Sequence, residues 1–223
     1  MAQEHAGTGR GALNHSDTHE LRLVGAATLA NLAVAAALLA VAGSGVAGTE
    51  LALRITARVS FVWFMMGFLA SPLEQLRPSR LSAWLMKRRR ALGVVFGLSM
   101  SIHVGFILRL YVLHHPEQPP MVTEADFYIG IPGLVMVALL TATSFEVLRR
   151  RLSDRAWERL HRTGIWVVWA IFFLCLADSV SRKTTEHPLL AYHSFIAVLL
   201  FALLLRILAA RSRAAQVGSL PAS

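Results

Sequence analysis

Residues 91–113 read ALGVVFGLSMSIHVGFILRLYVL, an apolar run with no acidic side chain and a single cation, Arg109, near its far end. A bilayer core takes roughly 20 apolar residues as helix, so this run reads as a membrane span. Arg88, Arg89 and Arg90 close it at one end. Five further runs of the same kind surround it, over 21–43, 52–73, 127–145, 161–180 and 189–208. The expected fold class is therefore all-α and integral to a membrane, a bundle of six transmembrane helices. Composition agrees: 55% of the 223 residues are hydrophobic and 16% charged, with a mean hydropathy of +0.54.

The formal net charge of +9 and a sequence pI near 11.1 would suggest nucleic acid in a soluble protein, so the placement of the charge decides its meaning. On one side of the expected bilayer lie 17 Lys and Arg, mostly in the loops Arg77–Arg90 and Arg149–Arg162, against 5 on the other. The positive-inside rule then places both termini and both basic loops in the cytoplasm, with the chain in the inner (plasma) membrane, N-in and C-in. The charge is topological, and no nucleic-acid partner is expected; the lipid bilayer is the partner. Domain organisation follows: a disordered tail over 1–20, the transmembrane domain over 21–209 and a second disordered tail over 210–223. The first run has only Arg10 among residues 1–20, beside Glu4, Asp17 and Glu20, and reads as a retained anchor rather than a cleaved signal.

One cysteine, Cys175, excludes a disulfide framework and a thiolate cage, and the absence of CxxCH excludes covalent haem. Neither HExxH, GxSxG nor an intramembrane carboxylate pair is present; Asp178 stands alone at a helix end. Among the carrier signals only Gly130, Pro132 and Gly133 in YIGIPG hint at a broken helix. What remains is three histidines within apolar runs: His103, His161 and His193.

Each polar group in a membrane helix asks for a partner or a purpose. Counting from the bounding arginines at about 1.5 Å per residue puts His103 and His193 at a similar level near the bilayer middle, with His161 at the cytoplasmic mouth. A neutral imidazole in an apolar helix is a good axial ligand for haem iron, and such ligands face each other at nearly equal depth. It can equally be a hydrogen-bonded contact between helices. Cys175 shares the level of His103 and reads as a weak thiolate ligand or a small buried hydrophobe. Arg54, Arg58 and Arg109, towards the outer side, suit haem propionates or snorkel to headgroups. Gly93 and Gly97 permit close approach of a helix or a flat macrocycle. Trp84 and Trp157 read as interfacial anchors; His114 and His115 belong to a wet HHPEQPP turn; His5, His15 and His19 read as solvated tail residues.

Four motifs in order carry a family resemblance: ASPLEQLRPSRL at 70–81, RRRALGVVFGLSMSIH at 88–103, DFYIGIPGLVMVALLTATS at 126–144 and RRRLSDRAWERLHR at 149–162. The chain resembles the ferric-reductase-like transmembrane domain, and within it the haem-binding membrane subunit of the bacterial periplasmic methionine-sulfoxide reductase system. The resemblance implies one haem b held by the third and fifth spans, relaying electrons outward to a redox protein, with a cytoplasmic flavin reductase, a flavin or quinone as donor. His103 and His161 match family histidines. A further family histidine, some 13 residues along the fifth span, is here Leu174, with Cys175 beside it. His193 is then a substitute partner from the sixth span. The chain reads as an electron-transfer subunit of an oxidoreductase rather than a stand-alone catalyst. A haem-free scaffold or accessory subunit is the alternative.

Overall fold

The computed structural model describes residues 15–113, 124–181 and 189–218, and the regular structure among them is helical: α1 (His15–Ala42), α2 (Val46–Leu76), α3 (Arg80–Lys87), α4 (Arg89–Leu113), α5 (Glu124–Ala142), α6 (Glu146–Arg149), α7 (Asp154–Ser181) and α8 (Leu189–Gly218). Five helices, α1, α2, α4, α7 and α8, are long and apolar enough to cross a bilayer. The chain is a multi-pass helical membrane protein. The crossing expected over 127–145 appears as α5, 19 residues long, whose described apolar part is Tyr128–Ala142. Pro132 lies inside α5 without breaking it, so the interruption hinted by YIGIPG is not there.

Helix also covers 15–20 and 210–218, stretches read from sequence as parts of the tails. Residues 209–216, AARSRAAQ, are rich in good helix formers and continue α8 beyond its apolar part. The outer parts of both tails, His5, the HHPEQPP turn with His114 and His115, and Arg182 and Lys183 lie outside the described residues.

Local chemistry sets the turns. Gly43 has φ +83°, the left-handed conformation that lacks a Cβ penalty only in glycine, and it folds α1 onto α2. At the other end of α2 the Arg77 amide returns to the Leu73 carbonyl at 2.9 Å, Pro78 follows, and Ser79 caps α3 in a reciprocal box with Ser82.

α2, α4, α5, α7 and α8 pack in a closed ring, each against the next, and α1 lies outside it in the groove between α2 and α4. All five ring helices contribute to one core: Phe61, Phe64, Met65 and Phe68 from α2, Phe96 from α4, Val137 from α5, Val168 from α7, and Leu199 and Ala202 from α8. Lipid is as apolar as this core, so the ring is held by close packing and not by water exclusion. Aromatic geometry supplies much of it. Phe172 of α7 meets Phe61 edge to face at 5.5 Å and lies 5.3 Å from Phe64 and 6.2 Å from Phe96; such pairs contribute about 0.5–1.5 kcal/mol each beyond burial. Leu29, Leu108, Val112, Leu200, Phe201 and Leu204 point outward and are exposed, the apolar belt that lipid covers.

The basic loops gather at one end of the ring. There Arg90 donates to the Ser144 carbonyl at 2.8 Å, Arg88 reaches the His19 carbonyl at 3.4 Å, and Gln75 donates to the Ala209 carbonyl at 2.6 Å. Arg54, Arg58 and Arg109 lie towards the opposite end.

Candidate functional site

His103 stands in the seam between α4 and α2. Its Nδ1 is 3.2 Å from the Leu53 carbonyl oxygen and 3.3 Å from Thr56 Oγ1. A carbonyl only accepts, and Thr56 donates its own hydrogen to the Ala52 carbonyl at 2.8 Å, so Nδ1 carries the proton. The lone pair of the neutral ring is therefore on Nε2. This is the arrangement of a metal-ligating histidine, whose second nitrogen is tied to a backbone carbonyl that orients the ring and raises its basicity. Ser60 and Ser99, both buried, pair their hydroxyls at 2.9 Å one turn further along the seam.

Arg54 is next to Leu53 on α2. Its salt bridge to Glu50, at 3.5 Å, occupies one terminal nitrogen, while its Nε is buried with no hydrogen-bond partner. A buried guanidinium nitrogen without an acceptor is costly, and it lies one residue from the carbonyl that holds His103. Arg58, half-buried one turn further in, shares that face with Phe61 and Met65. Arg109 is differently employed. Its Nε donates to Thr49 Oγ1 at 3.2 Å and its NH2 to the Ser44 carbonyl at 2.7 Å, clamping the turn between α1 and α2.

His161 lies apart from His103, where α5 ends and α7 begins. Its Nε2 is 3.1 Å from Thr143 Oγ1, which is itself 2.7 Å from the Leu139 carbonyl. Thr143 has one hydrogen to give to Leu139 or to His161, so either ring tautomer of His161 fits this contact, unlike that of His103. Trp157 lies tilted against it with ring centroids 4.3 Å apart, donates its Nε1 hydrogen to the Thr143 carbonyl at 3.1 Å, and carries Arg149 over its ring at 5.0 Å. Trp157, read from sequence as an interfacial anchor, also packs against His161.

His193 is exposed on α8, and Leu174 is 49% exposed on α7. Cys175 is half-buried, its carbonyl accepting from the Ser179 hydroxyl at 2.8 Å. Among the described residues no three His, Cys, Asp or Glu side chains gather into a metal cluster. Of the two GxxxG glycines only Gly97 makes a close approach. A Cβ there would fall 2.0 Å from Thr141 Oγ1 of α5, whereas Gly93 meets open space. The small residue serves helix packing.

A site residue that the sequence reading counted only as topological charge is Arg206. Its Nε and NH2 donate to the Phe68 carbonyl at 3.2 and 3.0 Å, and its guanidinium covers the rings of Phe68 at 3.9 Å and Trp166 at 5.4 Å. Pro72, inside α2, has no amide hydrogen to give the carbonyl four residues earlier. The signal was present: a proline in a membrane helix leaves that carbonyl to another donor.

A ring of apolar helices with an oriented imidazole in one seam and basic loops at one end defines a class, the polytopic helical membrane proteins. The family model described as ferric reductase like transmembrane component matches residues 56–175. The chain belongs to that family, over a stretch running from within α2 to within α7, and the match indicates a membrane electron-transfer role. No curated protein and no solved structure matches the chain.

Proposed function

We propose that the chain relays electrons across the membrane through one b-type haem held by His103. The observation that carries this reading is the His103 ring itself, fixed through Nδ1–H on the Leu53 carbonyl so that Nε2 bears the lone pair. The orphaned Nε of Arg54 beside it fits a propionate oxygen, and Arg58 on the same face is a second candidate. When bound, haem supplies reversible one-electron chemistry. The chain's own residues orient the ligand, neutralise the propionate and exclude water with the aromatic layer of Phe61, Phe64, Phe96 and Phe172.

With the basic end cytoplasmic, electrons enter from a flavin reductase or the quinone pool and leave to a protein on the outer face. The resemblance points to a methionine-sulfoxide reductase as that acceptor. Catalysis on the final substrate then belongs to the partner.

The test is an oxidised-minus-reduced visible spectrum of the purified wild type beside His103→Ala, His161→Ala and His193→Ala. A b-type band lost with His103→Ala supports the reading. Well-folded wild type that takes up no haem on reconstitution overturns it and leaves a haem-free scaffold.

A further inference from the structure

A groove runs along the outside of the seam between α2 and α8. Its floor is one face of α2 from Phe61 to Leu73, its wall is Phe195 and Val198 of α8, and Leu85 of α3 closes it at the basic end. The α2 positions share a face because they recur at helical steps. Of the lining residues only Ser194 is polar, and the volume is about 370 Å3. Val62 and Val198, both exposed, put the opening on the side away from the ring.

Phe61 and Leu73 are separated by a rise of ~18 Å along α2. The hydrocarbon core of a bilayer is about 30 Å thick, so the groove has the depth of one leaflet, the leaflet at the basic end. Charge at that end is one-sided: the segment Arg77–Arg90 holds six Lys and Arg and no acid. Several neighbouring cations are spent inside the protein, Arg88 on the His19 carbonyl, Arg206 on the Phe68 carbonyl and Arg213 on Gln75. Arg77, one turn beyond Leu73, and Arg80, at the start of α3, are exposed, and their side chains make no hydrogen bond or ion pair among the described residues. Leu81 and Trp84 of α3 are exposed beside them, as in a short amphipathic helix lying at the interface.

We propose that this groove holds an acyl chain of one anionic phospholipid, whose phosphate is met by Arg77 and Arg80. The site does not depend on the haem reading. A neutral apolar molecule would fill the groove and leave the cations unanswered; a soluble anion would answer the cations and leave the groove empty. A second copy of the chain in the same orientation would set one Arg77–Arg90 segment against another, like charge against like. A phospholipid of that leaflet satisfies both features at once, and basic clusters beside membrane helices attract anionic headgroups.

The experiment uses the full chain in nanodiscs of phosphatidylcholine and phosphatidylglycerol in equal parts, released into native mass spectrometry, which counts the lipids each protein retains. The expected result is one retained phosphatidylglycerol. Arg77→Gln with Arg80→Gln should weaken the preference for it about fivefold per cation, the worth of one Lys or Arg at an anionic surface. Arg155→Gln with Arg159→Gln, exposed on α7, should leave it unchanged. Val62→Trp and Met66→Trp, which fill the groove, should expel the lipid with both cations intact; circular dichroism and thermal unfolding show which of the two remains folded. Equal retention of the two phospholipids, or equal losses in the two arginine pairs, would overturn the proposal in favour of general lipid cover. Retention of the lipid in a folded tryptophan variant would overturn the groove as its seat. An isoprenoid quinone, or a second copy of the chain, retained in place of phospholipid would overturn the occupant.

Discussion

Arg206 of α8 and Phe68 of α2 are joined three ways: two hydrogen bonds from the guanidinium to the Phe68 carbonyl and a stacked contact with the Phe68 ring. The carbonyl is free because Pro72 follows four residues later. Arg213 adds to the same seam by donating to Gln75 and, at 3.2 Å, to the Ser71 hydroxyl. A proline that would weaken a lone helix thereby becomes the docking point of α8.

Arg206→Leu should lower stability by ~1.5–3 kcal/mol, the range for hydrogen bonds to a charged group. In a Pro72→Ala background, where an amide hydrogen returns to the Phe68 carbonyl, the same change should cost clearly less. A detergent or denaturant unfolding cycle over the four proteins measures the coupling. Equal losses in both backgrounds would show that the proline and the arginine are unrelated.

Gly97→Val should loosen the contact between α4 and α5, because its Cβ would enter the space of Thr141 Oγ1. Overpacking of this kind costs about 1–3 kcal/mol. Thr141→Ala in the same chain should recover part of the loss. Gly93→Val, facing open space, is the control and should be near neutral; thermal unfolding in nanodiscs compares all four.

Thr56→Val and Thr143→Val remove a hydroxyl from His103 and from His161 respectively. If haem is held by His103 and not by His161, only Thr56→Val should shift the reduction potential, since the bond to Nδ1–H tunes the basicity of Nε2. Thr143→Val should cost ~0.6 kcal/mol, a typical value for a hydrogen bond between membrane helices, and leave the potential unmoved. Redox titration followed in the visible region reads both. A shift with Thr143→Val would assign His161 to the iron.

Leu174→His places a histidine where the family resemblance led one to be expected. Because residue 174 points away from the core, the substitution should leave the ferric spin state unchanged. Phe172→His, on the face that meets the core but level with Phe96 rather than with His103, should likewise leave it unchanged. Low-spin haem in Leu174→His would mean that α7 is rotated relative to the arrangement described.

Much of the architecture was legible in the chain. Arg-bounded apolar runs announced the spans, and the four ordered motifs announced the family, because both are written in contiguous residues. The run over 127–145 returned as α5, Glu124–Ala142, helical as expected. The tails were read as longer than the helices leave them: AARSRAAQ is polar enough to look like solvent and helical enough to extend α8.

The site was legible only as a set of candidates. Sequence by itself determined a membrane-embedded helical protein with three histidines in apolar runs, because residue type and spacing along one helix suffice for that. Only the tertiary structure decided that Leu53 and Thr56 hold His103 in one tautomer, that His161 meets Thr143 apart from it, that Arg109 is committed to a turn, and that Arg206 answers Pro72. Each of these is a hydrogen bond between residues far apart in the chain, and its direction depends on where a single proton can go once two helices have met.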